Sequence, residues 1–511
     1  MKPHYKLLLI CAVALALRLV VLALFVRFPG IADPNHYYNM GIRLVEGHGF
    51  TIDYIWQYNI PPESLVHPEE HWMPLTAVAA ALPMQMFGVG VSQALLLFAL
   101  VGSMLPVLTY WMSRQLDLSE HTALFSAATT AFLPEFVLNS VRTDTTILCA
   151  FFVGLSLLLL VHGLRRGGAF AFVGSGAAAG FAYLTRSDAI LLLPMLVVTL
   201  IIYVLARRSL RLCYVWLMPV VAALVVSPWL ARNLQAFGTW SSPETDDMMF
   251  FTDHNDHYAY GRHFTLDTML ATQTPAQIIG KRLFEMAAAA KMMIETLDAL
   301  PVLLAGGFLI LIATRDKAKL LTLSPALILL LGGFVAYTVF IPYKAQAGSY
   351  KKFYLSILPL LLPVAAYALE RAVADRRIQL GAMALLIGLI GVNAVYLVRN
   401  DARFAGDYLA SIERMASVAQ TLPDTNADGE IILMTQDPYI LRYVGIRSVM
   451  FPSEDRETII EVARRYGVDY LLMPAARPAL DPLYVGAETD SRFVTAAEVP
   501  GTQYVFYGLE P

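Results

Sequence analysis

Charge is what this sequence has least of. Of its 511 residues only 15% are Asp, Glu, Lys or Arg, against 57% hydrophobic, where an ordinary globular chain carries about 25% charged residues. A soluble fold cannot bury that much apolar surface, so a cytosolic enzyme, a fibrous protein and a disordered chain are all excluded. Net charge is also small, −3 with no basic block, which excludes a soluble nucleic-acid binder. Cysteine is nearly absent. Cys11, Cys149 and Cys213 lie inside or at the edge of apolar runs without paired spacing, which excludes a disulfide scaffold and a cysteine-based zinc or redox site and leaves small core hydrophobes. No fixed-period repeat and no low-complexity segment occurs.

What the chain does have is a series of apolar runs long enough to match a hydrocarbon core of about 30 Å. Runs near 7–27, 89–113, 121–139, 144–164, 170–186, 188–206, 212–231, 299–313, 319–341, 353–370 and 378–398 predict about eleven crossings. The first, Leu7 to Val26, follows Lys2 and Lys6 and exceeds the roughly 7–15 residues of a secretory h-region, so it reads as a retained signal anchor. Basic residues resist translocation and collect on the cytoplasmic side. With the N-terminus inside, the short inner segments hold Lys2, Lys6, Arg114, Arg165, Arg166, Arg207, Arg208, Arg211, Arg315, Lys317, Lys319, Arg371, Arg376 and Arg377. The long segments 28–88, 232–298 and 399–511, with the turn 342–352, then lie outside, and chemistry is expected there. The predicted architecture is an all-α polytopic membrane domain over 1–398, followed by a small C-terminal α/β domain over 399–511. In the first outer loop, Tyr37–Val45 and Leu75–Phe87 read as interfacial helices. In the tail a helix is expected over Phe404–Leu422, strands at Glu430–Met434, Arg447–Phe451 and Val468–Met473, and a helix capped by Ser453 that runs to Tyr466.

Several polar residues fall on that outer face. Asp33, just past the first span, is a candidate general base, because partial burial at the boundary tunes a carboxylate for proton transfer. Lys351 and Lys352 stand in a short outer turn where positive charge is disfavoured, which points to phosphate binding. Asp144 and Arg186 sit at span ends, as intramembrane ionisable groups do when they line a cavity or meet a partner. Arg18, mid-run in the first span, is expected in a structural pair. Seven of the ten histidines lie in the two large outer loops. Of these, His67, His71, His254 and His257, with Glu69 and Glu70, offer N and O ligands to a divalent metal such as zinc, manganese or magnesium. Solvated loop residues are the alternative reading. No nucleotide cofactor is expected.

The order of these motifs resembles the GT-C-fold glycosyltransferases that use sugars on polyprenyl phosphate, close to the protein mannosyltransferase and lipid A aminoarabinose transferase group. The resemblance runs over most of residues 1–370. It is carried by Asp33 with Tyr37, Gly41 and Gly47, by a proline-bearing interfacial helix ending at Gly88, and by Arg142-Thr-Asp144. Further along it is carried by Gly176 to Asp188 with its Leu-Thr-Arg186 ending, by Ser227-Pro-Trp-Leu-Ala-Arg-Asn233 with Phe237-Gly238, and by Lys352-Phe-Tyr before Leu358-Pro359. The resemblance implies inverting transfer from a polyprenyl-phosphate sugar to a protein, lipid or glycan acceptor. It implies Asp33 as the group that activates the acceptor, with phosphate bound at Lys352, and Tyr37, Asp144, Arg186, Arg232 and Lys351 are expected around the substrate. Two departures stand out: lysine replaces the usual arginine at 352, and Pro34 follows Asp33. A secondary transporter is the rival, although transporters place their sites at the midplane between repeated halves. An inactive relative is a second alternative. The expected setting is a plasma or inner membrane, with the active face and the tail domain outside.

Overall fold

The computed structural model describes residues 3–206, 214–242, 245, 247–297, 300–341, 349–426 and 429–510. Lys2, Arg207, Arg208, Arg211, Cys213 and the turn 342–348, all invoked above, lie outside the described residues. The helices in chain order are α1 (Pro3–Phe25), α2 (Asp33–Val45), α3 (Pro74–Phe87), α4 (Val91–Gln115), α5 (Glu120–Phe132), α6 (Pro134–Asn139), α7 (Thr145–Arg166) and α8 (Ala169–Thr185). They continue with α9 (Leu192–Leu205), α10 (Leu217–Phe237), α11 (Leu266–Thr272), α12 (Pro275–Glu295), α13 (Leu300–Ala313), α14 (Lys317–Val335), α15 (Ser349–Ala372) and α16 (Arg376–Ala419). The tail adds α17 (Pro438–Tyr443), α18 (Arg456–Arg465) and α19 (Asp481–Tyr484).

Among the described residues, eight of the eleven predicted spans coincide with helices long and apolar enough to cross a bilayer. The other three differ, for physical reasons. The run 121–139 is broken, because Leu133 is extended (φ −56°, ψ 125°) ahead of Pro134, as a residue before proline prefers. Helix α8 is only 17 residues long, and α13 only 14. The break between α5 and α6 explains Arg18, which meets no carboxylate among the described residues. Its side chain donates instead to Ser140 Oγ at 2.9 Å and to the Ala14 and Ala131 carbonyls at 3.0 and 3.1 Å. Ala131 lies in the last turn of α5, whose carbonyls have no helical donor beyond the break.

Helix α15 is the centre of the bundle, with every residue from Phe353 to Ala368 buried. Glycine lets its neighbours approach: a Cβ at Gly307 of α13 would overlap the Val364 carbonyl, and one at Gly333 of α14 would overlap the Phe353 ring. Such close packing drives helix association where no hydrophobic force acts between helices.

The last span and the expected tail helix are one continuous helix, α16, 44 residues long and capped by Asp375. Beyond it lies a five-stranded sheet of β3 (Ile432–Thr435), β4 (Arg447–Met450), β5 (Tyr470–Met473), β6 (Phe493–Glu498) and β7 (Val505–Leu509), in the order β4-β3-β5-β7-β6. Strands β4, β3 and β5 are parallel, while β7 and β6 are antiparallel. Asp455, rather than Ser453, caps α18, its side chain accepting from Thr458 N at 2.9 Å.

The tail is fastened to the first long loop, which also forms the small pair β1 (Thr51–Ile52) and β2 (His67–Pro68). Ile55 N donates to Ser448 O at 3.1 Å, and Met450 N donates to Ile55 O at 2.7 Å, so the loop bridges the β4 edge in parallel at this one residue. Asp53 lies between Arg43 Nη1, at 3.2 Å, and Arg442 Nε, at 2.8 Å. Asn39 of α2 donates to the Tyr439 carbonyl at 2.7 Å. These contacts hold α2, and Asp33 at its start, against both the bundle and the tail.

Candidate active site

Three elements bring one lysine and two carboxylates together. Asp33 is the first residue of α2, where a carboxylate suits the helix N-terminus. Asp144 caps α7, accepting from Thr146 N at 2.8 Å and Thr146 Oγ1 at 2.6 Å. Lys352 in the first turn of α15 reaches both, with Nζ 2.8 Å from Asp33 Oδ2 and 2.6 Å from Asp144 Oδ2. The Asp144 side chain is 4% exposed and that of Lys352 19%, whereas Asp33 is 40% exposed, so Asp33 is the member open to a substrate. Burial would raise the Asp33 carboxyl, but the Lys352 ammonium beside it holds it below the usual carboxylate range. Thr143 Oγ1 donates to the Pro34 carbonyl and ties the linker before α7 to the first turn of α2.

A second set adjoins the first. Lys351 Nζ lies 2.6 Å from Glu135 Oε1 at the start of α6. Arg186, after α8, pairs with Asp188 at 2.6 Å, and donates to Tyr337 OH at 3.2 Å and to the Ser349 carbonyl at 3.1 Å in front of Lys351. Its Nη1 also donates to Thr145 Oγ1 at 3.3 Å, next to Asp144. Tyr337 belongs to a π-turn, Ala336–Phe340, at the end of α14, a feature frequent at functional sites. Tyr37 is buried on α2, and burial, reinforced by the charges of Asp33 and Asp144, pushes its hydroxyl well above the ordinary value. The structure thus brings Asp33, Tyr37, Asp144, Arg186, Lys351 and Lys352 into one region. Glu135, Asp188 and Tyr337 are members that sequence reasoning did not select. Pro134-Glu135 at a helix start was the available signal for the first, because acids favour that position.

Arg232 is placed differently. Its guanidinium donates to the Glu69 and Phe50 carbonyls at 2.6 and 2.9 Å and stacks over Trp229 and Phe237, so it clasps the backbone of the first loop. The expected metal ligands also fail to form one set. Glu69 is fully buried, 3.2 Å from His36 Nε2, and its other oxygen accepts from His71 N and Trp72 N at 2.7 and 2.8 Å. Glu70 accepts from Gln57 Nε2 at 2.9 Å, and His67 Nδ1 lies 3.0 Å from the Leu65 carbonyl. The rings of His71 and His257 are 6.4 Å apart, and those of His254 and His257 5.4 Å. Among the described residues no group of three or more His, Cys, Asp or Glu side chains is arranged to hold a metal ion. These residues do not fit a metal as they stand, because the two acids are already satisfied by local partners.

Residues 66–231 match the model of the dolichyl-phosphate-mannose-protein mannosyltransferase family. ArnT from Cupriavidus metallidurans bound to undecaprenyl phosphate superposes with a TM-score of 0.62 at 17% identity, covering 99% of this chain and 98% of that one. The chain shares the fold of that protein over nearly its whole length. The archaeal oligosaccharyltransferase AglB from Archaeoglobus fulgidus, in complex with an inhibitory peptide and a dolichol-phosphate, shares the fold at a TM-score of 0.54 and 13% identity, over 92% of this chain and 69% of that one. The Archaeoglobus fulgidus oligosaccharyltransferase in complex with zinc and sulfate gives 0.57 at 15% identity, over 91% and 67%. Comparison with curated protein sequences gives no match.

Proposed function

We propose that the protein is a membrane glycosyltransferase that takes its sugar from a polyprenyl-phosphate donor, whose phosphate meets Lys352 and Lys351 and whose lipid tail lies between spans. Asp33 serves as the base toward the acceptor. The observation that carries this reading is the position of Lys352 Nζ between the exposed Asp33 and the buried Asp144. A donor phosphate arriving at Lys352 substitutes for Asp33 as its partner, which leaves the Asp33 carboxylate free to accept a proton. The acceptor hydroxyl or amine attacks the anomeric carbon, the bond from that carbon to the phosphate oxygen breaks, and the acceptor proton passes to Asp33. The leaving polyprenyl phosphate keeps the electron pair, and the lysine ammonium groups stabilise its charge. Inversion follows from a single displacement. Asp144 and Arg186 hold Lys352 and the start of α15 in place.

We place this face, with the tail domain, outside the membrane and the N-terminus in the cytoplasm, because the Lys and Arg residues of the short connections gather on the opposite side. The test is transfer from a panel of radiolabelled polyprenyl-phosphate sugars in membranes carrying the wild type, Asp33→Asn or Lys352→Ala, with EDTA as a parallel condition. The wild type is expected to consume one donor, and Asp33→Asn to lose at least about 100-fold, the usual scale of general-base catalysis. Undiminished transfer by Asp33→Asn refutes its role as base, and loss of wild-type transfer in EDTA adds a metal to the reaction.

A further inference from the structure

The tail sheet carries a crevice that the transfer reaction does not use. Its three parallel strands stand in the order β4-β3-β5, so the chain leaves β3 for one neighbour by way of α17 and returns through α18 to the other. Leu433 of β3 packs in one cluster with residues of α16 and α17, and Met434 in another with residues of α18, which places these helices on opposite faces. In such sheets ligands bind outside the carboxyl ends of the strands, where the strand order reverses. Here that point lies between β3 and β5, and the crevice opens there. Thr435, Gln436 and Asp437 end or follow β3, Pro474 follows β5, and Tyr408 and Tyr504 stand at the walls. Gln436 donates from its amide to the Pro474 carbonyl and so links the two strand ends. Gln436, Asp437, Tyr408 and Tyr504 are each only half-buried, so solvent reaches them.

Asp437 is the group that the fold itself does not use. It precedes α17, but its side chain does not cap that helix. It accepts instead from two phenols, Tyr408 OH at 3.0 Å on Oδ2 and Tyr439 OH at 3.2 Å on Oδ1. Among the described residues no lysine or arginine pairs with it. Burial therefore pushes its carboxyl above the ordinary value, against the opposing effect of the two phenols. Burial, reinforced by the charge of Asp437, also raises the hydroxyls of Tyr408, Tyr439 and Tyr504, so three aromatic side chains surround one negative charge. That charge repels a phosphate or a carboxylate. Nor do three His, Cys, Asp or Glu side chains gather for a metal ion among the described residues. A protonated amine complements both parts of the crevice, because it makes a charge-assisted hydrogen bond to a carboxylate and is attracted to aromatic faces. We propose that this crevice binds a primary ammonium group, held by the Asp437 carboxylate and walled by the rings of Tyr408 and Tyr504. The site adjoins the helix that begins with Asp33, since Tyr439 reaches Asp437 with its hydroxyl and takes a bond from Asn39 of α2 on its carbonyl. The proposal goes beyond the transfer reaction and does not depend on it.

The experiment is saturation-transfer NMR on the full chain in detergent at neutral pH, with aminocyclohexanol and cyclohexanediol present together as probes. The two carry an ammonium or a hydroxyl on the same ring, and neither is apolar enough to favour the micelle. The wild type is expected to saturate the amine about tenfold more strongly than the diol, since a charge-assisted hydrogen bond is roughly twice as strong as a neutral one. Asp437→Asn keeps an acceptor oxygen for the phenols and is expected to remove the preference. Gln436→Lys sets a cation beside the carboxylate and is expected to remove it as well, which decides the question if Asp437→Asn lowers the melting temperature. Asp407→Asn changes an exposed acid on α16 next to Tyr408 and is expected to behave as wild type. Equal saturation of the two probes by the wild type overturns the site. So does a preference that survives in folded Asp437→Asn or in Gln436→Lys, or one that is lost in Asp407→Asn.

Discussion

Replacing Lys352 by methionine removes the cation from between two carboxylates and keeps the length of the side chain. Taking one partner from a buried ion pair costs about 3–5 kcal/mol. The lower end applies here, because the Asp33 side chain is 40% exposed and water screens its share, while Asp144 keeps its bonds to Thr146. A stability loss of about 3 kcal/mol is therefore expected, read as the melting temperature of the detergent-purified enzyme. If Lys352 stabilises the departing phosphate as proposed, its loss is expected to lower kcat about 100- to 1,000-fold, the range found for groups placed to meet developing charge. Lys352→Arg, which keeps the charge, is expected to recover most of the stability and part of the rate. The pH dependence has a definite sign. In the wild type the Lys352 ammonium holds Asp33 below the usual carboxylate range against the burial that would raise it. The carboxylate is then ionised throughout the neutral range, and its contribution to stability is present above the unfolded-state value of about 3.9 and lost as pH falls through the lower folded value. Without the ammonium, burial and Asp144 raise the carboxyl against only the smaller effect of His71, so the acid limb of kcat/KM moves to higher pH. Transfer assays between about pH 4 and pH 8 test this against the carboxylate reference. A Lys352→Met enzyme that keeps more than about a tenth of the wild-type kcat, or whose acid limb stays put, refutes both the phosphate role and the electrostatic account of Asp33.

Other parts of the structure give equally definite expectations. Arg186→Met leaves Asp188, whose side chain is 12% exposed, with only Tyr337 as partner, and is expected to cost about 3 kcal/mol in thermal unfolding. Gly307→Ala places a methyl group against the Val364 backbone, and a loss of about 1–3 kcal/mol should appear as a lowered melting temperature, since backbone cannot swing aside. Asp53→Asn takes the charge from between Arg43 and Arg442. Limited proteolysis should then cut the tail domain at lower protease concentration, and wild-type resistance would show that the remaining contacts, among them the Ile55 bridge and the Asn39 bond to Tyr439, suffice to hold it.

Local physics made much of this chain legible. Apolar runs of membrane length mark the spans, with Asp144 at the start of α7, and Gly88 marks the end of the interfacial helix α3. Asp33 and Lys352 could be singled out because charge at a boundary is costly and needs a reason. The three parallel strands of the tail also follow from short apolar runs, to within a residue or two. The places where local reading fell short share one cause. The helix break at Pro134, the direction of the Arg232 guanidinium and the pairing of Glu69 with His36 depend on what stands opposite each group, and a linear pattern does not specify its neighbours. Histidine and acid spacings suggested a metal, yet each acid found a nearer partner in its own loop.

By itself the sequence determined that the protein spans a membrane and which boundary charges demand explanation, because hydropathy and the cost of burying charge act residue by residue. Only the tertiary structure decided that Lys352 meets Asp33 and Asp144, residues 319 and 208 positions away, and that Lys351 meets Glu135. Such contacts are fixed by how helices pack, through close approaches such as Gly307 on Val364 and through a loop bridged to the tail sheet. No span carries in its own residues the position of the span it will face.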